Sequence, residues 1–256
     1  MTQIDEVFEK QFSFCDKGFL LADFYDKFRK SVVFVLGCGG LGNATSQILA
    51  RSGIGNLVLV DFDLVERSNL SRQVLFSSDD VGKAKCDCLK RHISEGFPNV
   101  NIFAINEKIT KESIKNIFEK GLFSLVGSCD VSDFSERVVV CDCLDNFESR
   151  LFVSEFSSQF RIPVVHAMVS SSKGFVFPVL QKKGWPSFVD VFSKKRMADS
   201  VKSKGVLNNA VFATSSVQAG FVFKILSENL DRAFAVDFDM WNFRFDVVFM
   251  GDGNEF

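Results

Sequence analysis

The chain has 256 residues, with Lys+Arg 30 against Asp+Glu 32. It is long enough to bury a core without disulfide or metal staples, and it lacks the basic excess of a dedicated nucleic-acid binder. Its seven cysteines form no CxxC, and the Cys86/Cys88 and Cys141/Cys143 pairs fit neither a secreted disulfide framework nor the usual zinc spacings.

The acidic start (Met1 to Glu6) has no apolar signal core. The longest uncharged run, Ser31 to Ala50, carries Gly37, Gly39, Gly40 and Gly42 and is a poor membrane span. A reduced, cytoplasmic protein is the expectation. The 31 Phe against one Tyr read as a compositional bias that fills a Phe-rich core.

Residues 1–30 read as an N-terminal helical segment, and residues 31–256 as one domain. Ser31–Leu36 (SVVFVL) is a short apolar, β-branched run ended by glycines, which predicts a buried strand. Helical spacing follows over Asn43–Arg51, and LVLV at Leu57–Val60 predicts a second buried strand ending at Asp61. Val81–Ser94 is read as a helix capped by Asp79 or Asp80. Asn101–Ile105 reads as a strand, and Thr110–Lys120 as a helix with Thr110 at its N-cap.

The weak pattern over Gly121–Glu136 suggests an inserted loop or hairpin. Val138–Cys141 is another buried strand and Asn146–Phe160 an amphipathic helix. Ile162–Met168 and Gly174–Leu180 are strands. Gln181–Lys204, polar and basic with Gly184 and Pro186, reads as a surface crossover loop. Val211–Leu226 is a helix, and Ala233–Asp239 with Phe243–Phe249 a closing hairpin. The alternation implies an α/β fold: a mostly parallel sheet with helices on both faces and a C-terminal antiparallel extension.

Gly37, Gly39 and Gly42 satisfy GxGxxG between a strand and a helix, in a Rossmann-like doubly wound context. Glycines permit the tight turn and close backbone approach, and a helix N-terminus favours phosphate. Asp61 ends the next strand, where a carboxylate accepts hydrogen bonds from a ribose. Taken alone, these features suggest an NAD-dependent oxidoreductase. Arg72 and the Gly82-Lys83-Ala84-Lys85 run point elsewhere, because cations beside a phosphate site suit a triphosphate with a leaving pyrophosphate. Asp145 follows the Val138–Cys141 strand, where a carboxylate faces the ligand crevice. It is a candidate for Mg²⁺ or for capping the following helix. His92 and His166 are read as structural, with a catalytic approach open for His166.

GCGGLGN from Gly37, the run from Ala50 to Gln73, GKAK from Gly82 and CLDNFESR from Cys143 together resemble the ThiF/MoeB/HesA family. Its members are ATP-dependent adenylyltransferases of ubiquitin-like sulfur carriers, similar to ubiquitin-activating enzymes. Gly205–Leu226 is similar to the family's later core helix, so the resemblance runs from about Ser31 onward.

The resemblance implies that Gly37, Gly39, Gly40 and Gly42 line the nucleotide. It implies that Asp61 binds the ribose with Asp63 close by, that Asn69, Arg72 and Lys85 meet the phosphates, and that Ser68 also contacts the nucleotide. Asp145 would hold Mg²⁺, supported by Asn146, and Arg150 would form a structural ion pair. The implied catalytic set is Arg72, Lys85 and Asp145. The implied cofactors are ATP and Mg²⁺. The implied partners are a small carrier ending in Gly-Gly, a possible sulfur-donor protein and a second copy of the chain in a homodimer, with no nucleic acid and no membrane.

The chain departs from the family in two places. It has no Cys after Cys143, so the structural zinc held by two CxxC pairs in many members is expected to be absent, as is a crossover-loop cysteine. The family's N-terminal RYxRQ-like segment corresponds to Glu9-Lys10-Gln11-Phe12-Ser13-Phe14, without arginine, leaving Lys10 and Lys17 as the nearby cations. An alternative reading is therefore a catalytically weak nucleotide-binding relative that recognises a carrier. Another is a relative that activates a non-carrier peptide or acts in RNA modification.

Overall fold

The computed structural model describes residues 6–12, 24–127, 137–192 and 205–250. Two short helices, α1 (Glu9–Phe12) and α2 (Phe24–Lys30), precede the sheet. The sheet then builds from β1 (Val32–Leu36), β2 (Asn56–Val60), β3 (Asn101–Ile105), β4 (Val138–Asp142), β5 (Val164–Ser170), β6 (Lys173–Val179), β7 (Phe234–Asp239) and β8 (Arg244–Phe249). The connecting helices are α3 (Gly40–Arg51), α4 (Lys85–Gly96), α5 (Ile114–Val126), α6 (Phe147–Gln159), α7 (Phe188–Val191) and α8 (Asn208–Leu226).

Strand order is β3-β2-β1-β4-β5-β6-β7-β8. The first five are parallel, and β6, β7 and β8 join antiparallel to their neighbours. Order reverses between β1 and β4, and in open α/β sheets ligands bind at the carboxyl ends beside such a switch point.

Alternation along the central strands divides the core. Val33, Val35, Leu57 and Leu59 face α3, α4 and α8, packing with Leu49, Leu89 and Val222. Val32, Phe34, Val58 and Val140 face the opposite layer, with Phe118 of α5 and Phe156 of α6. Phenylalanines pack in all three apolar clusters, and in this layer they stack on one another. Phe34 stacks on Phe118 with centroids 4.2 Å apart, and Phe118 meets Phe156 at 4.7 Å. A third cluster around Phe177, Phe188 and Phe192 closes the antiparallel end. Fully burying each ring contributes roughly 1.5–3 kcal/mol.

Several boundaries differ from expectation for local reasons. The fourth helix begins at Lys85 and not at Val81, because Gly82 takes a positive φ of 86° and breaks the path. Asp79 and Asp80 lie in the preceding 3₁₀ turn and do not cap that helix. The buried Asp80 carboxylate instead accepts from the Ser77 N–H and pairs with Arg91 and His92.

The fifth helix starts at Ile114 after Ser113, with the Thr110 hydroxyl accepting from the Ser113 N–H at 3.2 Å in the turn before it. It continues through Gly121, read as the start of a loop, to Val126. A Cβ at Gly121 would lie 2.8 Å from Phe34, so glycine there permits close helix–sheet approach and is no breaker. Gly127, left-handed at φ 74°, ends the helix. The rest of the suspected insertion, 128–136, lies outside the described residues, as do Lys17 and residues 193–204 of the crossover loop. The loop's described part is not all surface: the short helix α7 buries Phe188 and Val191 in the third cluster, because these apolar side chains pack under the antiparallel end.

Candidate nucleotide and metal site

The glycine turn leaves β1 directly into α3. Gly37 has φ 94°, and a Cβ on it would meet the Cys143 carbonyl oxygen at 2.8 Å. At Gly42 a Cβ would sit 1.8 Å from the Gly37 carbonyl oxygen. Both positions need glycine for backbone contact: the first docks the turn on the β4–α6 loop, the second closes the turn on itself. No side chain caps α3 and no acidic residue occupies its first turn, which leaves that end suited to an anion.

Asp61 braces the same turn. One carboxylate oxygen accepts the Cys38 N–H at 2.6 Å and the other the Asp63 N–H at 2.8 Å. Burial pushes its pKa up against these backbone hydrogen bonds. Each oxygen keeps a lone pair, so bracing and ribose recognition are compatible. Asp63 also pairs with Lys85, whose ammonium lies 2.8 Å away and is mostly buried. The main chains of the two residues are tied as well, Lys85 N–H to the Asp63 carbonyl at 3.0 Å.

Arg67–Asn69 forms a 3₁₀ turn closed by a reciprocal cap, with the Asn69 carboxamide accepting the Glu66 N–H at 3.1 Å. Asn69 is therefore buried and holds its own turn. Arg72 donates to the Ser68 carbonyl at 3.1 Å. Its stem lies 3.7 Å from where a Cβ of Gly40 would be, so the guanidinium arm lies beside the glycine turn.

Asp145 sits in the β4–α6 loop, exposed, with the Asn146 amide at 3.5 Å. Capping of α6 falls to Asn146, whose side chain accepts the Ser149 N–H at 2.9 Å. The capping alternative for Asp145 is thereby removed. Among the described residues no group of three or more His, Cys, Asp or Glu could hold a metal ion. Mg²⁺, however, is commonly held by one or two carboxylates together with substrate phosphates and waters. The donor set fits an ion carried in with a nucleotide.

The Asp145 loop rests on Arg150, expected to form a structural ion pair, and on Asp142 and Gln218, which no motif singled out. Asp142, the last residue of β4, is fully buried and pairs with Arg150 at 2.8 Å and His166 at 2.6 Å. Its second oxygen accepts the Leu144 N–H at 3.0 Å. Arg150 further donates to the Leu144 carbonyl and, at 2.9 Å, to the Ala167 carbonyl. His166 is buried beneath the loop and does not reach the site surface. Gln218 of α8 completes the support. Its amide donates to the Val165 carbonyl at 2.9 Å, and its oxygen accepts from Thr45 at 2.8 Å. For Asp142 and Gln218 the sequence signal is polarity inside apolar segments.

Burial opposes the charge on Asp142, and Arg150 with the His166 hydrogen bond outweighs it, holding the carboxyl below its ordinary range. Burial lowers His166 from its ordinary value of 6.5 and outweighs the pull of Asp142. The imidazole is neutral, and the acceptor-only carboxylate fixes the proton on Nδ1.

As pH falls through about 6.5, the unfolded chain binds a proton at His166 that the folded chain refuses, so stability falls. Asp142 adds a loss in the same direction as pH falls from its unfolded value, about 4, towards its depressed folded one. Asp61, shifted up, opposes it in the carboxylate range. Urea midpoints at about pH 7.5 and about pH 5.5 are expected to drop in the wild type and to drop less in His166→Phe. Equal drops in both would remove His166 from the acid response.

Molybdopterin-synthase adenylyltransferase of Haemophilus influenzae is 30% identical over 204 residues, covering 79% of this chain and 77% of that protein. The adenylyltransferase and sulfurtransferase uba4 of Aspergillus fumigatus is 32% identical over 211 residues, covering 78% of this chain and 40% of its own length. The chain thus spans less than half of that two-activity relative. Among solved structures, E. coli MccB with MccA superposes with a TM-score of 0.80 at 21% identity, over 98% of this chain and 73% of that one. MccB with ATP gives 0.76 at 24% identity, over 97% and 72%. These likenesses show the shared fold. The ThiF family profile matches residues 14–253, nearly the whole sequence, and the chain belongs to the ThiF family.

Proposed function

We propose that the protein adenylates the C-terminal glycine of a small ubiquitin-like sulfur carrier at the expense of ATP, releasing pyrophosphate. The reading rests on one observation. The glycine turn, Asp61, the Arg72 arm, the Lys85–Asp63 pair and Asp145 gather where β1 and β4 diverge.

The chemistry asks for positioning and charge stabilisation, because the attacking carboxylate is already ionised near neutral pH. Its oxygen attacks the α-phosphorus, the α–β bridging bond breaks, and pyrophosphate carries the electron pair away. The Gly37–Gly42 turn cradles phosphate oxygens, and Arg72 and Lys85 offset charge growing on the leaving group. Asp61 receives the ribose. Mg²⁺, when bound, neutralises phosphate charge, and Asp145 is the carboxylate placed to hold it.

A protein-sized acyl substrate also has a surface to meet. The β7–β8 turn lies at the same rim of the sheet as Ser170, because Lys173 pairs with both Ser170 and Asp239. From that turn Trp241, Phe243, Phe245, Val247 and Phe249 are all at least half exposed. A contiguous apolar strip of this kind marks a macromolecular contact. The proposal includes a separate sulfur-donor protein, a homodimer, a cytoplasmic location and no structural zinc. The carrier serves thiamin, molybdopterin or a related sulfur-transfer route.

Carrier-dependent exchange of pyrophosphate into ATP, with a panel of small proteins ending in Gly-Gly, tests the reading. Exchange with one carrier supports it and identifies the route. Tight Mg·ATP binding and carrier capture without exchange would favour the binding-module alternative. Arg72→Ala is expected to lower exchange by about a hundredfold, the scale of losing one preorganised charge-stabilising group, while carrier affinity changes little. Equal losses in both would make Arg72 a structural residue.

A further inference from the structure

The mechanism above uses Asp145 and leaves unused the fully buried imidazole beneath it. His166 is 0% exposed, an unusual place for a residue with two polar nitrogens, and both are satisfied. Nδ1 lies 2.6 Å from Asp142 Oδ2 and Nε2 lies 3.3 Å from the Ser154 hydroxyl. Asp142 Oδ1 then holds the Leu144 N–H, one residue before Asp145. The ring is also clamped by aromatics, Phe177 at 5.0 Å and Phe188 at 4.7 Å. Phe188 belongs to α7 and touches Phe147, the first residue of α6, at 5.6 Å. The Asp145–Asn146 pair is thus bracketed between the Asp142–Leu144 hydrogen bond on one side and Phe147 on the other, and both supports meet at His166.

From this we infer that His166 is a positioning residue for Asp145: it orients Asp142, and through the Leu144 amide it fixes the loop that presents the carboxylate to a nucleotide-bound Mg²⁺. The inference rests on the reading of Asp145 as the metal-facing carboxylate. A neutral imidazole suits the task. It donates one directed hydrogen bond to a carboxylate whose charge Arg150 already balances, and it adds no second buried cation. Outer partners of this kind typically govern metal affinity by about 10–100-fold.

The test measures binding, without turnover. Calorimetric titration of the full chain with ATP, once with Mg²⁺ and once with EDTA, gives the factor by which the metal tightens ATP. Asp145→Ala is expected to abolish that factor. His166→Phe keeps the ring stack and loses both hydrogen bonds. It is expected to cut the factor about tenfold while leaving affinity in EDTA within about twofold. His166→Asn, whose amide can replace Nδ1, is expected to stay within about threefold of wild type.

A wild-type factor in His166→Phe, with Asp145→Ala collapsed, overturns the inference and spares the reading of Asp145. A wild-type factor in Asp145→Ala overturns both. Should His166→Phe fail to fold, His166→Gln, which reaches the Nε2 position and abandons Asp142, carries the same expectation and the same refutation.

Discussion

Arg150→Met is expected to destabilise the protein by about 3–5 kcal/mol, the usual cost of removing one member of a buried ion pair. The magnitude follows from what stays behind. Asp142 has no solvent exposure, and among the described residues Arg150 supplies its full positive charge, at 2.8 Å. His166 cannot take over cheaply, because burial already disfavours its protonated form. The same substitution frees the Leu144 and Ala167 carbonyls, adding two acceptors without their guanidinium donor. Methionine fills comparable volume, so the loss reports charge and hydrogen bonding more than a cavity. Urea denaturation followed by far-ultraviolet dichroism measures it. A loss below about 1 kcal/mol would mean that water or another cation reaches Asp142. Combining Arg150→Met with Asp142→Leu is expected to recover part of the loss, because an apolar pair leaves no stranded charge.

The resemblance implied an ion pair for Arg150, and what sequence reading did not give was its partner, Asp142. β3 was legible to the residue, β1, β2 and β4 to within one residue, and β5 to within two at each end, because parallel strands buried on both faces are written as continuous apolar runs. The closing β7–β8 hairpin was legible as an antiparallel extension, whereas the crossing itself lies earlier, between β5 and β6. Helix boundaries were not, and each miss has a local cause. Gly82 delays the fourth helix by its positive φ, whereas Gly121 sits inside the fifth helix because Phe34 and Val58 press against it. The same residue type breaks one segment and packs another, and only the tertiary neighbours decide which.

The site divides the same way. Gly37, Gly42, Asp61, Arg72 and Lys85 fall in short motifs beside predicted elements, so their gathering could be anticipated from topology. Asp142 could not be separated from Asp145 by position alone, since both are carboxylates at the end of one strand. Burial distinguishes them: one faces inward to Arg150 and His166, the other lies open beside Asn146. Asn69 adds a structural task to its motif: its carboxamide oxygen accepts the Glu66 N–H and shapes the Arg72 turn, while its NH₂ donors are the groups a phosphate would use.

The open carboxylate carries the second large effect. Asp145→Ala is expected to lower Mg²⁺-dependent pyrophosphate exchange by at least about a hundredfold, the scale of losing one preorganised electrostatic group. Stability is expected to change by no more than about 0.5 kcal/mol, as for an exposed substitution without structural partners. The separation of the two effects follows from the local hydrogen bonds. Asn146 caps α6 and Asp142 holds the loop, so nothing in the fold depends on Asp145 beyond an amide at 3.5 Å. Asp145→Asn keeps the shape and removes the charge. Its activity is expected to fall with that of the alanine variant, because Mg²⁺ is a hard cation that favours an anionic oxygen. Exchange at the wild-type rate in either variant, with thermal melting unchanged, would take the metal away from Asp145. A melting temperature that falls together with activity would instead show that the loop depends on Asp145 for its own shape, against the division of labour that Asn146 and Asp142 imply.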